Sequence, residues 1–294
     1  PRFAILTPVQ PLVSIVVPVF NGMPHLRSLT HALQQLTYPN LEFVCTEGGG
    51  SDDGWAYLNQ LADPRFRLIQ MPAGTTAAAN WTAASLQARG DFTKLVCQDD
   101  LLYPSAIDQQ VYDLQTHPSA AMAIAQRDIV DARGAIVFRR RGLAGLPKKA
   151  QTLPGEEVMH ACYLQGTNVL GEPLAVLFRT EDLHAAMPWD DTDPLMLDLS
   201  TYQKIAPTTD IALRWESIGA FRVSNTSWST RIAREQLDQT RRWQDNYRKS
   251  SPTPINRRRQ LRALAGRHLS TNLRRAAYTT LRLKGSLRSE SEQP

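Results

Sequence analysis

Residues 92–100 read Phe-Thr-Lys-Leu-Val-Cys-Gln-Asp-Asp, a mostly apolar run that ends in two carboxylates. Such a run predicts a buried parallel strand, and ligands of open α/β sheets collect at the carboxyl ends of these strands. Asp99 and Asp100 would there face Mg²⁺ or Mn²⁺, which take oxygen ligands and share them with substrate phosphates. A loop start or helix N-terminus is the simpler interpretation of an Asp-Asp pair, and Ser105 with the helical pattern after it keeps that interpretation open.

Four further segments precede this run in a definite order. Residues 13–22 predict an apolar strand that ends in Pro18 and an Asn-Gly turn, and residues 41–46 predict a strand that enters Glu47-Gly-Gly-Gly-Ser-Asp-Asp-Gly54. Residues 67–71 predict a third strand, and residues 78–84 lie on a helix. This order resembles the nucleotide-sugar domain of inverting family 2 glycosyltransferases over about residues 12–225.

The resemblance implies an α/β fold of the GT-A type, a mixed, mostly parallel sheet flanked by helices with a basic helical C-terminal extension. It implies a GT-A domain over residues 1–249, with a nucleotide-sugar half at about 12–118 and an acceptor half at about 119–249, and a tail over 250–294. The implied reaction moves a sugar from a nucleotide-diphospho-sugar, UDP- or dTDP-linked by preference, to a hydroxyl of a saccharide or lipid-linked acceptor. Polysaccharide or lipopolysaccharide synthesis is the implied setting, and Mn²⁺ or Mg²⁺ is the implied cofactor.

Composition agrees with one large soluble domain. The 294 residues are 42% apolar and 7% aromatic, and no stretch approaches the ~20 consecutive apolar residues of a membrane helix. The prolines that interrupt the N-terminal apolar run predict a core strand there and no signal peptide. Cys45, Cys97 and Cys162 are scattered, which predicts reduced thiols in a cytoplasmic protein. The histidines show no ligand spacing, so a structural zinc site is not expected.

Positive charge is concentrated at the C-terminal end. Residues 246–294 contain twelve Lys or Arg and two Glu, a net +10, which leaves −5 for the rest of a chain whose total is +5. Residues 250–254 predict a linker, and leucines recur among the arginines of residues 255–287 at roughly helical spacing. This helix could lie on an anionic membrane face, making the protein peripheral, or pack its leucines on the domain. Nucleic acid is a weaker third partner because Tyr278 is the segment's one aromatic residue.

The resemblance assigns the nucleobase contacts to the turn after the first strand and to the loop after the second strand. Pro18 and Phe20 match the turn that holds the nucleobase, although Phe20 is equally typical of a core aromatic at a strand end. Glu47 matches the acidic residue that accepts the imide proton of a uracil or thymine ring. The following loop is one residue longer than the family's usual Asp-Asp-Gly-Ser-Thr-Asp-Gly, so Asp53 or Asp52 fills its last acidic position.

Two positions depart from the family pattern near the diphosphate. Many relatives carry Ala-Arg-Asn on the third helix, whereas Ala78-Ala79-Asn80 keeps the asparagine and lacks the cation. Arg65 or Arg67 is either its substitute or a surface residue at the strand entrance. Gln98 stands where the first carboxylate of the metal motif is usual, while Asp99 remains for the nucleotide-sugar.

The resemblance also implies one metal ligand and one catalytic base. Asp100 matches the metal ligand, whose ion would neutralise the leaving diphosphate. Leu197-Asp-Leu-Ser-Thr-Tyr-Gln-Lys-Ile-Ala206 matches the acceptor-side helix, in which Asp198 falls on the base that deprotonates the acceptor hydroxyl. Leu197 and Ser200 replace acidic residues of the family pattern, and an N-cap aspartate is the structural alternative for Asp198.

Three other interpretations stay open. Gln239-Thr-Arg-Arg-Trp243 matches a Gln-x-x-Arg-Trp motif of processive synthases, although an incidental match on a charged surface helix over residues 233–249 is favoured. A nucleotidyltransferase would share the nucleotide-binding half but is expected to show a Gly-rich basic loop after the first strand, which Asn21-Gly-Met-Pro24 is not. A non-catalytic sugar- or nucleotide-binding module is suggested by Ala79, Gln98 and Leu197.

Overall fold

The computed structural model describes residues 10–23, 25–225 and 235–287, whose strands form one ten-stranded sheet. The strands are β1 Val13–Val19, β2 Leu41–Glu47, β3 Phe66–Gln70, β4 Phe92–Leu95, β5 Leu101–Leu102, β6 Ala120–Val130, β7 Ile136–Arg141, β8 Thr152–Pro154, β9 Val176–Arg179 and β10 Asp210–Arg222. The helices are α1 His25–Gln34, α2 Gly54–Asn59, α3 Ala77–Leu86, α4 Ala106–Thr116, α5 Gly155–Gln165, α6 Thr180–Ala185, α7 Leu197–Ile205, α8 Gln236–Ser250 and α9 Arg257–Leu283.

The sheet has the order β3-β2-β1-β4-β9-β6-β10-β5, with β7 beside β6 and β8 beside β10. The pairings give β1, β2, β3, β4, β6 and β10 one direction and β5, β7, β8 and β9 the other. This mixed, mostly parallel sheet with a C-terminal helical extension confirms the predicted GT-A fold class. The division of the chain at residue 250 stays a prediction.

Helices cover both faces of the sheet. Because successive side chains of a strand point to opposite faces, a strand that is apolar at every position has to be buried on both. Ile15 and Val17 of β1 belong to the core that includes side chains of α1, α2 and α4, whereas Val16 belongs to the core that includes side chains of α3, α5, α7 and α8. The two resulting cores bury β1 completely. The parallel strands therefore end at one protected edge, where the sequence motifs converge.

The apolar run of residues 92–97 is interrupted by a buried lysine. Lys94 of β4 is fully buried, and its Nζ donates to Gln110 Oε1 at 2.6 Å and to the Val176 carbonyl at 3.2 Å. Burial lowers the pKa of Lys94 well below its usual value, which the nearby charge of Asp100 opposes. The strand tolerates lysine because these acceptors replace part of its hydration.

Helix α9 packs against α5 through small residues. Ala263 and Thr271 are buried, Ser270 Oγ donates to the Gly166 carbonyl at 2.9 Å, and Gly266 lies directly against Leu164. The packing alternative is thus right that the helix docks on the domain. Of its leucines, Leu281 is buried in a cluster with Val223, whereas Leu261, Leu264, Leu269, Leu273 and Leu283 stay exposed. No helix in the described ranges combines the length and apolarity needed to cross a bilayer.

We expect Gly266→Val to lower the free energy of unfolding by about 1–3 kcal/mol, the usual cost of overpacking a closed contact. A Cβ at residue 266 would lie 2.1 Å from the Leu164 carbonyl oxygen, so α9 must shift. Replacing glycine in an open helix would instead be neutral or stabilising. Urea unfolding measures the effect, and Ala265→Val at the exposed neighbouring position is the control. Equal stability of the two variants would contradict this packing.

Candidate functional site

The Asp99–Asp100 turn after β4 is fixed from two sides. The Gln98 amide accepts from the Phe20 N–H at 2.8 Å and donates to the Phe20 carbonyl at 2.9 Å. Arg222, at the end of β10, donates through Nε to the Asp99 carbonyl at 3.1 Å. Gln98 therefore joins the metal motif to the nucleobase turn, a structural role that residue type alone did not indicate.

The Asp100 carboxylate is buried and only partly hydrogen-bonded. It is 1% exposed, its Oδ1 accepts from the Arg222 backbone N–H at 3.4 Å, and its Oδ2 has no partner. Burial, together with the charges of Asp99 and Glu172, raises the pKa of Asp100 well above its usual value. An unpaired buried carboxylate oxygen is costly unless a ligand completes its bonding.

These properties fit a divalent cation. Mg²⁺ and Mn²⁺ at nucleotide sites commonly use one or two carboxylates and complete their shell with phosphates and water. Within residues 10–23, 25–225 and 235–287, no group of three or more His, Cys, Asp or Glu side chains is arranged to hold a metal alone. Asp100 fits the ion through Oδ2, and Asp99 is its sequence neighbour.

The nucleobase turn at the end of β1 combines a buried proline with an exposed ring. Pro18 is buried and pairs in register with Thr46 of β2. Phe20 is 53% exposed, so the alternative of a core aromatic is wrong. Asn21 has a positive φ of 49°, and its Oδ1 accepts from the Ser51 N–H at 2.7 Å. The turn and the loop after β2 are therefore one connected surface.

Glu47 ends β2 and organises the glycine loop. It is 3% exposed, and its two carboxylate oxygens accept from the backbone N–H groups of Gly49 at 3.0 Å and Gly50 at 2.7 Å. These bonds satisfy one lone pair on each oxygen, so further acceptor capacity remains for a donor such as an imide.

The three other predicted nucleotide residues, Asp52, Asp53 and Asn80, differ in how many of their polar side-chain atoms are already hydrogen-bonded. Asp52 accepts from the Met23 N–H at 2.8 Å and the Gly54 N–H at 3.0 Å, so it holds the loop together. Asp53 is exposed, and its carboxylate makes no hydrogen bond within the described residues. Asn80 is 4% exposed, donates to the Val19 carbonyl at 3.0 Å and leaves its Oδ1 without a partner.

Asp198 is the second residue of α7. Its Oδ1 accepts from the Leu199 N–H at 2.7 Å and its Oδ2 from Asn168 Nδ2 at 2.9 Å. Met196 occupies the N-cap position, so the alternative of an N-cap aspartate is wrong. Asn168 also donates to the Gly171 carbonyl at 2.8 Å, which fixes the turn before β9 against α7.

The charge of Glu172 acts on both Asp100, the predicted metal ligand, and Asp198, the predicted base. Arg127 holds it with two bonds, at 2.5 Å from Nε and 2.8 Å from a terminal nitrogen. Burial and the Glu172 charge raise the pKa of Asp198 to about 7, an effect that the Leu199 and Asn168 bonds oppose. Although burial acts in the opposite direction, Arg127 lowers the pKa of Glu172. Glu172 therefore stays ionised at neutral pH while its charge acts on Asp198 and Asp100.

The Gln-x-x-Arg-Trp segment lies against the turn that precedes α7. Gln239 is 1% exposed and its Oε1 accepts from the Leu195 N–H at 2.7 Å. Arg242 donates through Nε to Asp193 Oδ1 at 2.7 Å, and Trp243 is buried against Tyr247. The expectation that this motif lies on a surface helix is therefore wrong, because Gln239 and Trp243 are buried. Residues 233 and 234 of the predicted helix lie outside the described residues.

For the sugar transfer that the sequence resemblance implies, we expect Gln239→Leu to lower the rate more than the affinity for the donor. The substitution leaves the Leu195 N–H unpaired and loosens the turn that positions Asp198, at a cost of about 1–3 kcal/mol in folding free energy. Steady-state kinetics with donor-binding calorimetry separates the two effects. Arg241→Gln, at an exposed position two residues along α8, is the control. A variant with normal kcat would contradict the positioning role.

Sequence reasoning missed Asn168, Glu172, Arg127 and Arg222, which meet the predicted residues through long-range contacts. The suggestion that Arg65 or Arg67 replaces the missing cation is wrong. Arg65 is paired with Asp63 at 2.7 Å, and Arg67 binds Gln87, so both serve the strand entrance. No local pattern marks the four missed residues.

The chain matches the model of Glycosyl transferase family 2 over residues 14–166, just over half of its length, and it belongs to this family. The chain spans about a third of the length of two Rickettsia glycosyltransferases that it matches at 28% identity over 102 residues. It is 25% identical over 105 residues, 36% of this chain and 42% of the relative, to Escherichia coli WfaP, a UDP-Glc:α-D-GlcNAc-diphosphoundecaprenol β-1,3-glucosyltransferase.

Two solved structures share the fold. S. aureus TarS in complex with UDP-GlcNAc gives a TM-score of 0.64 at 13% identity, covering 88% of this chain and 73% of that one. The mannosyltransferase PcManGT from Pyrobaculum calidifontis, in complex with GDP-Man and Mn²⁺, gives 0.57 at 13% identity, with coverages of 93% and 81%. At these identities the likeness establishes the fold.

Proposed function

We propose that this chain transfers a sugar from a nucleotide-diphospho-sugar to an acceptor hydroxyl with inversion at the anomeric carbon. The observation that carries the proposal is the Asp198 carboxylate at the start of α7, which the Leu199 N–H and Asn168 Nδ2 hold in place at 2.7 Å and 2.9 Å. Burial raises the pKa of Asp198 to about 7, which suits a general base at neutral pH. The charge of Glu172 raises the pKa of both Asp198 and Asp100, which supports one site for the proposed base and the proposed metal ligand.

The proposed step is a single displacement. Asp198 takes the proton of the acceptor hydroxyl, the hydroxyl oxygen bonds to the anomeric carbon, and the bond from that carbon to the diphosphate oxygen breaks with its electron pair. Asn168 and the Leu199 N–H orient Asp198 through one bond to each of its oxygens. Ionised Glu172 raises the basicity of Asp198 without itself competing for the proton.

Asp100, with Asp99 beside it, would hold Mn²⁺ or Mg²⁺. When bound, such an ion supplies Lewis-acid stabilisation of the negative charge on the leaving diphosphate. The Oδ2 atom of Asp100, buried and without a partner, supports this assignment. The Mn²⁺ in the PcManGT complex is a second, fold-level support.

Pro18, Phe20, Glu47, Asp53 and Asn80 are the proposed nucleotide contacts. The exposed Phe20 ring can cover a base, and a Glu47 carboxylate with spare acceptor capacity favours a uracil or thymine ring. A UDP- or dTDP-sugar is therefore the proposed donor class. The proposed acceptor is a saccharide or lipid-linked saccharide of cell-surface polysaccharide synthesis. The relative WfaP supports this proposal, because its name gives a GlcNAc linked to diphosphoundecaprenol as its acceptor.

The pH profile of the reaction tests the base. We expect kcat/KM for donor turnover to rise about tenfold per pH unit below pH about 7 and to level above it, because only ionised Asp198 accepts the proton. Release of nucleoside diphosphate at several buffer pH values gives the profile. A rate that stays constant across this range in the wild type would contradict the assignment of Asp198.

A further inference from the structure

The outer face of α9 consists of the leucines and arginines that point away from α5. Leu261, Leu264, Leu269, Leu273 and Leu283 are between 43% and 84% exposed. These five leucines stay exposed because the contact with the domain is made by Ala263, Gly266, Ser270, Thr271 and Leu281 on the inner face. Exposed leucines in this number on one helix mark an interaction surface.

Arginines alternate with these leucines. Arg257, Arg258, Arg262, Arg275 and Arg282 are exposed, and residues 257–283 contain no acidic residue. Among the described residues, none of these five arginines forms an ion pair with a carboxylate. The outer face is therefore apolar and uniformly positive along the whole helix.

We propose that the outer face of α9 docks on the surface of an anionic lipid bilayer. A helix of this composition lies in the interfacial plane, with leucines among the acyl chains and arginines at the phosphates. Lipid satisfies both residue types at once, whereas a nucleic acid would bind the arginines and leave the leucines in water. Charge complementarity thus selects an anionic membrane as the partner.

Docking through α9 would hold the site at a fixed orientation to the bilayer. Ser270 bonds the Gly166 carbonyl, and a terminal Arg274 nitrogen donates to Thr167 Oγ1 at 3.2 Å. The next residue, Asn168, donates to Asp198. If the proposed function holds, an acceptor anchored in the bilayer would reach Asp198, the proposed base, whose hydrogen-bond partner Asn168 follows a residue that contacts α9.

Vesicle co-sedimentation of the full chain tests the proposal, with vesicles that contain anionic phospholipid compared with purely zwitterionic vesicles. We expect binding to the anionic vesicles alone and weaker binding at high salt. The variant R258Q/R262Q/R275Q should bind about a hundredfold more weakly, from about fivefold per arginine near a charged surface. The variant L261Q/L269Q/L273Q should lose at least about tenfold by removing apolar burial.

The control R139Q/R141Q removes two exposed arginines from β7 and should keep its binding. A melting temperature equal to that of the wild type shows that a variant is folded. If the leucine variant is unfolded, the arginine variant alone tests the proposal. Unchanged vesicle binding of the arginine variant, or an equal loss in the control, would overturn the proposal. So would tight binding of a duplex oligonucleotide that depends on the arginines but not on the leucines. Because no donor is present, failure here is distinct from failure of the proposed function.

Discussion

Asp198→Asn is expected to lower sugar transfer by about a hundredfold or more while leaving donor affinity within a fewfold of wild type. The amide cannot take the acceptor proton, but it keeps the size of the side chain and can still accept from the Leu199 N–H. The proposed donor contacts lie in the turns after β1, β2 and β4, and the hydrogen bonds of the Asp198 carboxylate go to Leu199 and Asn168 instead. Calorimetry with the nucleotide and initial-rate kinetics measure the two quantities.

Asp191→Asn is the matched control for this substitution. Asp191 is exposed in the acidic loop before α7, so its neutralisation removes one nearby charge without touching the site. Equal losses of donor affinity and turnover in Asp198→Asn would indicate that the residue only supports the fold of α7. The same loss in Asp191→Asn would indicate a general charge effect.

Asp100→Asn is expected to abolish the gain in nucleoside-diphosphate affinity that Mn²⁺ provides. The substitution replaces the unpaired anionic Oδ2 by a neutral group that is a poor ligand for a hard cation. It should also raise the melting temperature of the metal-free protein at neutral pH. Because the pKa of Asp100 is raised in the folded state, the protein is most stable at acidic pH, where this carboxyl is protonated. Stability falls as the pH rises and the carboxyl ionises, and the neutral asparagine avoids this fall.

Asp131→Asn is a control at a second buried aspartate, which is 2% exposed. The Asp131 Oδ1 already accepts from the Arg133 and Ala135 N–H groups at 3.0 Å each. This variant should keep the metal dependence and gain no stability. Mn²⁺-dependent affinity that persists in folded Asp100→Asn protein would refute the metal assignment.

The fold could be predicted because its signals are local. The apolar runs of β1, β2 and β4 and the helical pattern of α3 each lie within a few consecutive residues, and burial on both faces of the sheet explains them. Motif resemblance gave Asp100 and Asp198 their proposed roles, which composition alone does not suggest.

The supporting residues of the site could not be predicted in this way. Arg127 meets Glu172 across 45 residues, and Arg222 meets Asp99 across 123, so no sequence window contains both partners. Helix α9 shows a different limit: its amphipathic pattern was evident, but close approach to α5 requires small residues such as Gly266. The packing alternative consequently assigned the whole leucine stripe to the contact, although Leu281 alone of the leucines of α9 is buried.

The anomeric configuration of the product tests the central claim most directly. The wild-type protein with Mn²⁺ is incubated with UDP- and dTDP-sugars and saccharide acceptors, nucleoside diphosphate release is followed, and the new glycosidic bond is assigned by proton NMR coupling constants. The account predicts release that requires the metal, and a product whose anomeric configuration is opposite to that of the donor. A product with retained configuration, or no release from any of these donors by folded protein, would contradict a single displacement driven by Asp198.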